Sequence, residues 1–137
     1  MEKLFLEINQ LKENKGYIQK DELLYFMKIQ KNRIEIEEDK IRNILINMNK
    51  YCLTLLGNDC IKIQKEGLEL YNKKNRDYGE SYKQCGTIGI LVRIIDKINR
   101  LENLKHISNY EVGETYKDTL IDLHNYTLLG IICIDGE

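Results

Sequence analysis

A stripe of polar side chains runs through an apolar segment of the sequence. Glu114, Asp118 and Asp122 are spaced by four residues, and Asn125 follows three residues later. On a helix this spacing places the four side chains on one face. The surrounding residues are mostly apolar, so we expect Asp122 and Asn125 to be buried, and a buried carboxylate needs a cation or a metal beside it. The stripe predicts either a structural ion pair or a site of metal ligation or base catalysis, with Asp118 and Asp122 as the catalytic residues.

A second set of charged residues precedes this stripe in the chain. Arg93, Asp96, Lys97 and Arg100 lie three or four residues apart, on one side of an otherwise apolar helix. Pairing of arginine with aspartate between two helices is one interpretation. The other is a phosphate clamp beside a metal, because guanidinium groups fit phosphate oxygens and carboxylates are ligands that Mg²⁺ prefers. The Mg²⁺ ligands would then be Asp96, Glu114, Asp118 and Asp122.

Residues 73–81 read KKNRDYGES and form a third candidate cluster. Cations at an exposed helix end are common and suit the helix dipole, so a solvated helix end is one interpretation. A nucleotide site is the other, because Tyr78 offers a ring for stacking, the cations suit phosphates, and Gly79 lets the backbone approach closely. The spacing is not that of a Walker loop. The predicted ligand-binding residues are Lys73, Arg76, Tyr78, Gly79, Ser81, Arg93, Lys97, Arg100 and Asn125.

The elements that must hold these residues are all predicted to be helices. Apolar residues recur at helical spacing in six segments, and no segment shows convincing strand alternation. The predicted helices cover residues 2–12, 21–29, 37–56, 59–74, 88–104 and 114–134, with a polar loop at 75–86. Gly57 separates a helical N-terminal extension, residues 1–57, from a chemically richer core, residues 58–137. The sequence predicts an all-α bundle of five to six helices in one compact domain.

The last two predicted helices are strongly apolar, and the loop between them is short. We therefore expect residues 88–104 to pack antiparallel against residues 114–134, with Asp96 and Asp118 or Asp122 approaching arginine or lysine across the contact. Residues 128–134 are apolar on every side of the helix. This segment predicts a homo-oligomer, with a central core helix of the monomer as the alternative.

The composition narrows the classes of protein and partner. Of the 137 residues, 42% are hydrophobic and 31% are charged, which is enough apolar surface for one folded core. The net charge of −1 gives no reason to expect duplex nucleic acid or a membrane surface as a partner. The four cysteines form no CxxC pair, no signal peptide is visible, and no apolar run approaches the ~20 residues of a membrane span. We expect reduced, partly buried cysteines and a cytoplasmic protein.

Three of these stretches, in the same order, resemble the nucleotide modification associated domain, type 1, which phages and bacteria carry. They are residues 73–81 (KKNRDYGES), 93–100 (RIIDKINR) and 114–129 (ETYKDTLIDLHNYTLL). The family shows a Lys-x-x-DYG-x-S loop, a helix with Arg and Lys-x-x-Arg, and a closing helix with D-x-x-x-D-x-x-N-Tyr. The resemblance covers about residues 59–134, and residues 1–57 do not carry it. It implies an all-helical fold, and a phage-encoded protein would work in the cytoplasm of the bacterial host.

The family is in turn distantly similar to the all-α nucleoside triphosphate pyrophosphatases, the MazG and dimeric dUTPase group, which use acidic helices and Mg²⁺ for hydrolysis. Their first motif is EExxE, whereas this chain has Glu66-x-x-Glu69, with Gly67 at the second position. The resemblance implies a nucleotide or nucleotide-derived small molecule as the partner, with Mg²⁺-dependent phosphoanhydride hydrolysis as one function. The alternative is a non-catalytic phage anti-defence protein that sequesters a nucleotide signal or inhibits a host protein.

Overall fold

Six helices account for nearly all of the described chain. The computed structural model describes residues 2–9, 20–31, 34–57, 60–78, 82–104 and 116–135. The helices are α1 (Glu2–Asn9), α2 (Lys20–Gln30), α3 (Glu38–Leu56), α4 (Cys60–Tyr78), α5 (Tyr82–Leu104) and α6 (Tyr116–Asp135). No strand occurs within these ranges, and the predicted all-α bundle is confirmed.

The region between α4 and α5 differs from the predicted polar loop at 75–86. α4 continues to Tyr78, because the residues of its last turns are polar but are not helix breakers. α5 begins at Tyr82, so most of the predicted loop is helical and that prediction is wrong. Gly86, with φ 66° and ψ −171°, interrupts α5 in a conformation that favours glycine. The regular part of α5 therefore begins at Thr87, next to the predicted start at residue 88.

α6 lies between α3 and α5 and packs most extensively against these two helices. Along the contact with α5, Lys97 pairs with Asp122. Ile90, earlier in α5, lies beside Gly130, later in α6. The two helices are therefore antiparallel, as the sequence predicts.

The hydrophobic core draws on both halves of the chain. α1 packs against α3 and α2 packs against α5, so residues before Gly57 share one core with residues after it. Within the apolar segment 128–134, Leu128 and Ile131 are 1% and 0% exposed in the single chain. This burial removes the argument on which the predicted homo-oligomer rested, and oligomerisation stays a prediction without support from this segment. The fully buried side chains include Ile8, Phe26, Ile29, Ile41, Leu45, Leu91, Ile94 and Leu123.

Arg42 joins three helices at one end of the bundle. Its guanidinium donates to both carboxylate oxygens of Glu7 on α1, at 3.0 Å each. It also donates to both carboxylate oxygens of Asp135 on α6, at 2.7 and 2.9 Å. The hydrogen bonds to Glu7 and then to Asp135 raise the pKa of Arg42 above its ordinary value. Bidentate pairs fix the relative positions of the groups that they join. Arg42 therefore holds the C-terminal parts of α1 and α6 against α3.

Cys52 and Cys133 are buried and form no disulfide bond within the described residues, in agreement with the prediction for the cysteines. Burial raises the pKa of the Cys52 thiol, which keeps it protonated and unreactive. The side chains of Cys60 and Cys85 lie outside the described residues. None of the described helices combines the length and the apolar character needed to cross a membrane.

Candidate functional site

A groove between α4 and α6 brings predicted site residues together, and we call it the α6 groove. It is lined by Gly67 and Leu70 from α4 and by Asp122, Asn125, Tyr126, Leu128 and Leu129 from α6. Its volume of about 70 Å³ is well below the ~300–1,000 Å³ of pockets that enclose a drug-sized ligand. The groove therefore has room for one edge of a small molecule, with the rest of that molecule lying outside.

Lys97 and Asp122 form an ion pair at the edge of the groove. Lys97 Nζ lies 3.2 Å from Asp122 Oδ2, and the two side chains are 17% and 44% exposed. For Asp122, the expected approach to a cation between α5 and α6 is confirmed. The expected burial of Asp122 is wrong, because α3 covers the face of α6 that carries Thr127, and Asp122 projects from another side of the helix.

Asp122→Asn should change the free energy of unfolding by less than about 1 kcal/mol, because the Asp122 carboxylate is 44% exposed and ion pairs that solvent screens contribute about 0–1 kcal/mol. Urea denaturation of the wild type and the variant measures this difference. Asp39→Asn, at an exposed position in the first turn of α3, is the matched control. A loss of roughly 3–5 kcal/mol would show instead that the Lys97–Asp122 pair behaves as a buried structural pair.

Asn125 is held in place by a buried histidine and a close glycine. His124 is 0% exposed, and its Nδ1 lies 3.0 Å from Asn125 Oδ1. α4 approaches at Gly67, where a Cβ would lie 2.9 Å from Asn125 Oδ1 and 3.4 Å from His124 Cε1. The expected full burial of Asn125 is not found, since its side chain is partly exposed and lines the groove. Sequence reasoning missed His124, whose only signal is a polar ring beside Asn125 in an apolar helix.

A buried hydrogen-bond network fixes α6 against α3 behind the groove. Asn49 Nδ2 donates to the His124 carbonyl oxygen and to Thr127 Oγ1, at 3.1 Å each. The Thr127 hydroxyl donates to the same carbonyl oxygen at 2.8 Å. Asn49, His124 and Thr127 are all 0% exposed. Because hydrogen bonds are strong in a low-dielectric interior, this network sets the rotation of α6 and so determines which of its residues face the groove.

The stability of the protein should depend on pH through His124. Burial lowers the pKa of His124 below its ordinary value of 6.5, and the hydrogen bond to Asn125 opposes this only in part. At pH values below 6.5 the histidine of the unfolded chain binds a proton that the buried His124 of the folded chain does not bind. The free energy of unfolding therefore falls as the pH is lowered. For one proton the slope is at most about 1.4 kcal/mol per pH unit.

Urea denaturation between pH 7.5 and pH 5 measures this dependence, and His124→Asn is the matched control because it cannot titrate. The wild type should lose more stability than the variant over this interval. Equal losses in the two proteins would contradict a buried, neutral His124.

The cations of α5 lie on one stripe beside the groove. Arg93 and Lys97 are four residues apart, and Arg100 follows three residues later, so the three share one side of the helix. Arg93 is exposed, whereas Lys97 and Arg100 are partly buried. Lys73, Asp96 and Asp118 are exposed on α4, α5 and α6, respectively. The stripe therefore places Arg93 where a negatively charged group outside the groove can reach it.

Part of the predicted site lies outside the described residues. Arg76 and Tyr78 belong to α4, but their side chains are not among those described. Gly79, Ser81 and Glu114 lie outside the described ranges altogether.

The described side chains do not bring the predicted Mg²⁺ ligands together. Within the described ranges, no group of three or more His, Cys, Asp or Glu side chains is placed to hold a metal ion. Asp122 pairs with Lys97 instead. Since Glu114 is not among the described residues, Mg²⁺ binding stays a prediction.

Comparison with known families identifies the segment that carries most of these residues. Residues 74–134 match the model of the family described as nucleotide modification associated domain 1. The resemblance that the sequence showed is thus confirmed over this segment, which contains the cations of α5 and the polar stripe of α6. Gly67 and Lys73 precede it. The similarity to the all-α nucleoside triphosphate pyrophosphatases is not shown. Comparisons with curated proteins and with solved structures found no match.

Proposed function

We propose that this protein binds a nucleotide or a nucleotide-derived small molecule in the α6 groove. The observation that carries the proposal is that Asp122 and Asn125, both within the matched segment, line one groove together. Lys97 lies 3.2 Å from Asp122, so a cation stands at the edge of that groove. The groove thus offers polar side chains, apolar side chains and a neighbouring cation, which are the features that binding of a base and its phosphate requires.

The groove and the α5 stripe suit different parts of such a ligand. Leu70 and Leu129 offer apolar contact to a planar ring, and the Asn125 carboxamide can hydrogen-bond to its edge. The phosphate would lie outside the groove, because a volume of about 70 Å³ does not hold a whole nucleotide. Arg93 and Lys97 would then bind phosphate oxygens, which guanidinium and ammonium groups do well.

The packing at Gly67 favours binding without hydrolysis. Gly67 stands where the pyrophosphatase motif has its second glutamate, and a Cβ at this position would already lie 2.9 Å from Asn125 Oδ1. A glutamate side chain would therefore push α4 away from α6. We infer that this position serves close helix packing rather than metal ligation, and that the protein retains its ligand intact.

A thermal-shift screen tests the proposed function. The probes are deoxyuridine and adenosine mono- and triphosphates, a cyclic nucleotide and ADP-ribose, each with and without Mg²⁺, followed by chromatography of the recovered probe. We expect at least one probe to raise the melting temperature and to be recovered unchanged. Asn125→Ala should lose the shift, and Asn43→Ala, at an exposed site on α3, should keep it. If no probe shifts the melting temperature, the proposal is overturned. If a probe is converted to a product only when Mg²⁺ is present, the protein hydrolyses its ligand instead of retaining it intact.

A further inference from the structure

We propose that His124 is a positioning residue that fixes the Asn125 amide, so that Asn125 presents its NH₂ group to the α6 groove and selects ligands that offer a carbonyl or phosphoryl oxygen. This inference rests on the proposed function, because it concerns the same groove. His124 itself does not line the groove and would act through Asn125.

The hydrogen bond between the two side chains determines which atom Asn125 has left for a ligand. Asn125 Oδ1 lies 3.0 Å from His124 Nδ1, and an amide oxygen can only accept a hydrogen bond. With the amide in this orientation, His124 Nδ1 carries the proton. Among the described residues, Asn125 Nδ2 has no hydrogen-bond partner, and the Asn125 side chain is partly exposed in the groove. The polar atom of Asn125 that has no partner among the described residues is thus a donor.

The opposite orientation of the Asn125 amide would leave a buried N–H group of the His124 ring without an acceptor. If the Asn125 amide were rotated so that its NH₂ donated to His124 Nδ1, the proton of the neutral ring would have to sit on Nε2. Within the part of the chain that the structure describes, His124 Nε2 is buried without a hydrogen-bond partner. A buried N–H without an acceptor is rarer and costlier than a buried nitrogen lone pair without a donor. The surroundings of the ring therefore favour the arrangement with the proton on Nδ1.

Gly67 confines the oxygen of the same amide from the α4 side. A Cβ at Gly67 would lie 2.9 Å from Asn125 Oδ1, so only glycine leaves room for that oxygen where His124 holds it. His124 and Gly67 together enclose the amide oxygen on two sides. The amide nitrogen is then the group that a ligand meets, and its partner must be an acceptor.

The first test needs no ligand. Nitrogen-15 NMR of labelled protein distinguishes the two ring tautomers of His124 directly. We expect the Nδ1–H tautomer, and the Nε2–H tautomer would overturn the proposal.

The second test uses two probes that separate the possible acceptors. Uridine offers base carbonyls without a phosphate, and ribose 5-phosphate offers phosphoryl oxygens without a base. We expect one of them to shift the side-chain NH₂ resonances of Asn125, and that probe identifies the acceptor. If neither probe shifts these resonances, the proposal is overturned. The proposed function survives that result if a nucleotide of the thermal-shift screen still binds.

Variants of His124 separate positioning from mere packing. His124→Leu removes the ring donor and should weaken binding of the active probe at least tenfold. His124→Asn keeps an N–H near the position of Nδ1 and should bind within about threefold of the wild type. Gly67→Ala, which crowds Asn125 Oδ1 directly, should also weaken binding of the active probe at least tenfold. This variant replaces His124→Leu in the test if His124→Leu does not fold. Wild-type affinity in a folded His124→Leu or Gly67→Ala variant would show that His124 has only a structural role.

Discussion

Valine in place of Gly130 should lower the free energy of unfolding by about 3 kcal/mol, the upper part of the usual range for overpacking a core. A Cβ at Gly130 would lie 2.7 Å from Leu45 Cδ1 on α3 and 3.4 Å from Ile90 Cγ2 on α5. Leu45 is 0% exposed, so its side chain cannot move aside into solvent. Urea denaturation and the melting temperature measure the loss.

A double-mutant cycle identifies the origin of that loss. Leu45→Ala alone should cost about 2–5 kcal/mol, because it leaves a cavity between α3 and α6. In the Gly130→Val/Leu45→Ala protein the valine occupies part of that cavity, so the combined loss should be smaller than the sum of the single losses by more than about 1 kcal/mol. Additive losses would contradict the close approach of α3 and α6 at Gly130.

Asp122→Asn and Arg93→Ala should each weaken nucleotide binding at least tenfold while the protein stays folded. Asp122 lines the groove and holds Lys97, and Arg93 lies on the same stripe of α5 as Lys97. Hydrogen bonds to charged groups contribute about 1.5–3 kcal/mol, which corresponds to a loss of ten- to a hundredfold or somewhat more. Isothermal titration calorimetry with the probe that gives the largest thermal shift measures these losses.

Two controls keep this result specific to the groove. Asp39→Asn and Lys31→Ala change the charge at exposed positions on α3 and at the end of α2, and both should bind within about twofold of the wild type. Arg93→Ala should also reduce the dependence of affinity on salt concentration, since ion pairs with phosphate are screened by salt. Unchanged affinity in both Asp122→Asn and Arg93→Ala would show that the predicted site is not the binding site.

Periodicity made the helices of this protein predictable from sequence, together with the pairing of the last two. The apolar spacing of α5 and α6 is strong over several turns, and a short connection leaves an antiparallel hairpin as the simplest packing. The same reasoning placed Lys97 and Asp122 on facing stripes, and the structure pairs them at 3.2 Å. The boundary of α4 was harder to predict, because exposed polar residues are compatible with both a helix end and a loop.

The missed features depend on contacts between elements that are distant in sequence. Asp122 was expected to be buried because its neighbours are apolar, but exposure is decided by which face α3 covers, and a single helix sequence does not specify that face. The role of His124 can be inferred only when the positions of α3 and α4 are known, since in the sequence alone a single histidine in an apolar helix looks like any core residue. Gly67 was interpreted as a missing carboxylate, whereas its neighbours show a close approach of α4 to Asn125 and His124.

Amide chemical shifts of the labelled protein, followed during titration with the nucleotide that gives the largest thermal shift, test binding in the α6 groove most directly. We expect the largest changes at Leu70, Asp122 and Asn125, with the Asn125 side-chain NH₂ among them. A second, open cleft between α2 and α3 is lined in part by Tyr25 and Lys40, with Lys40 Nζ 4.1 Å from the centre of the Tyr25 ring. Changes confined to that cleft, or no changes at saturating nucleotide, would contradict nucleotide binding in the α6 groove.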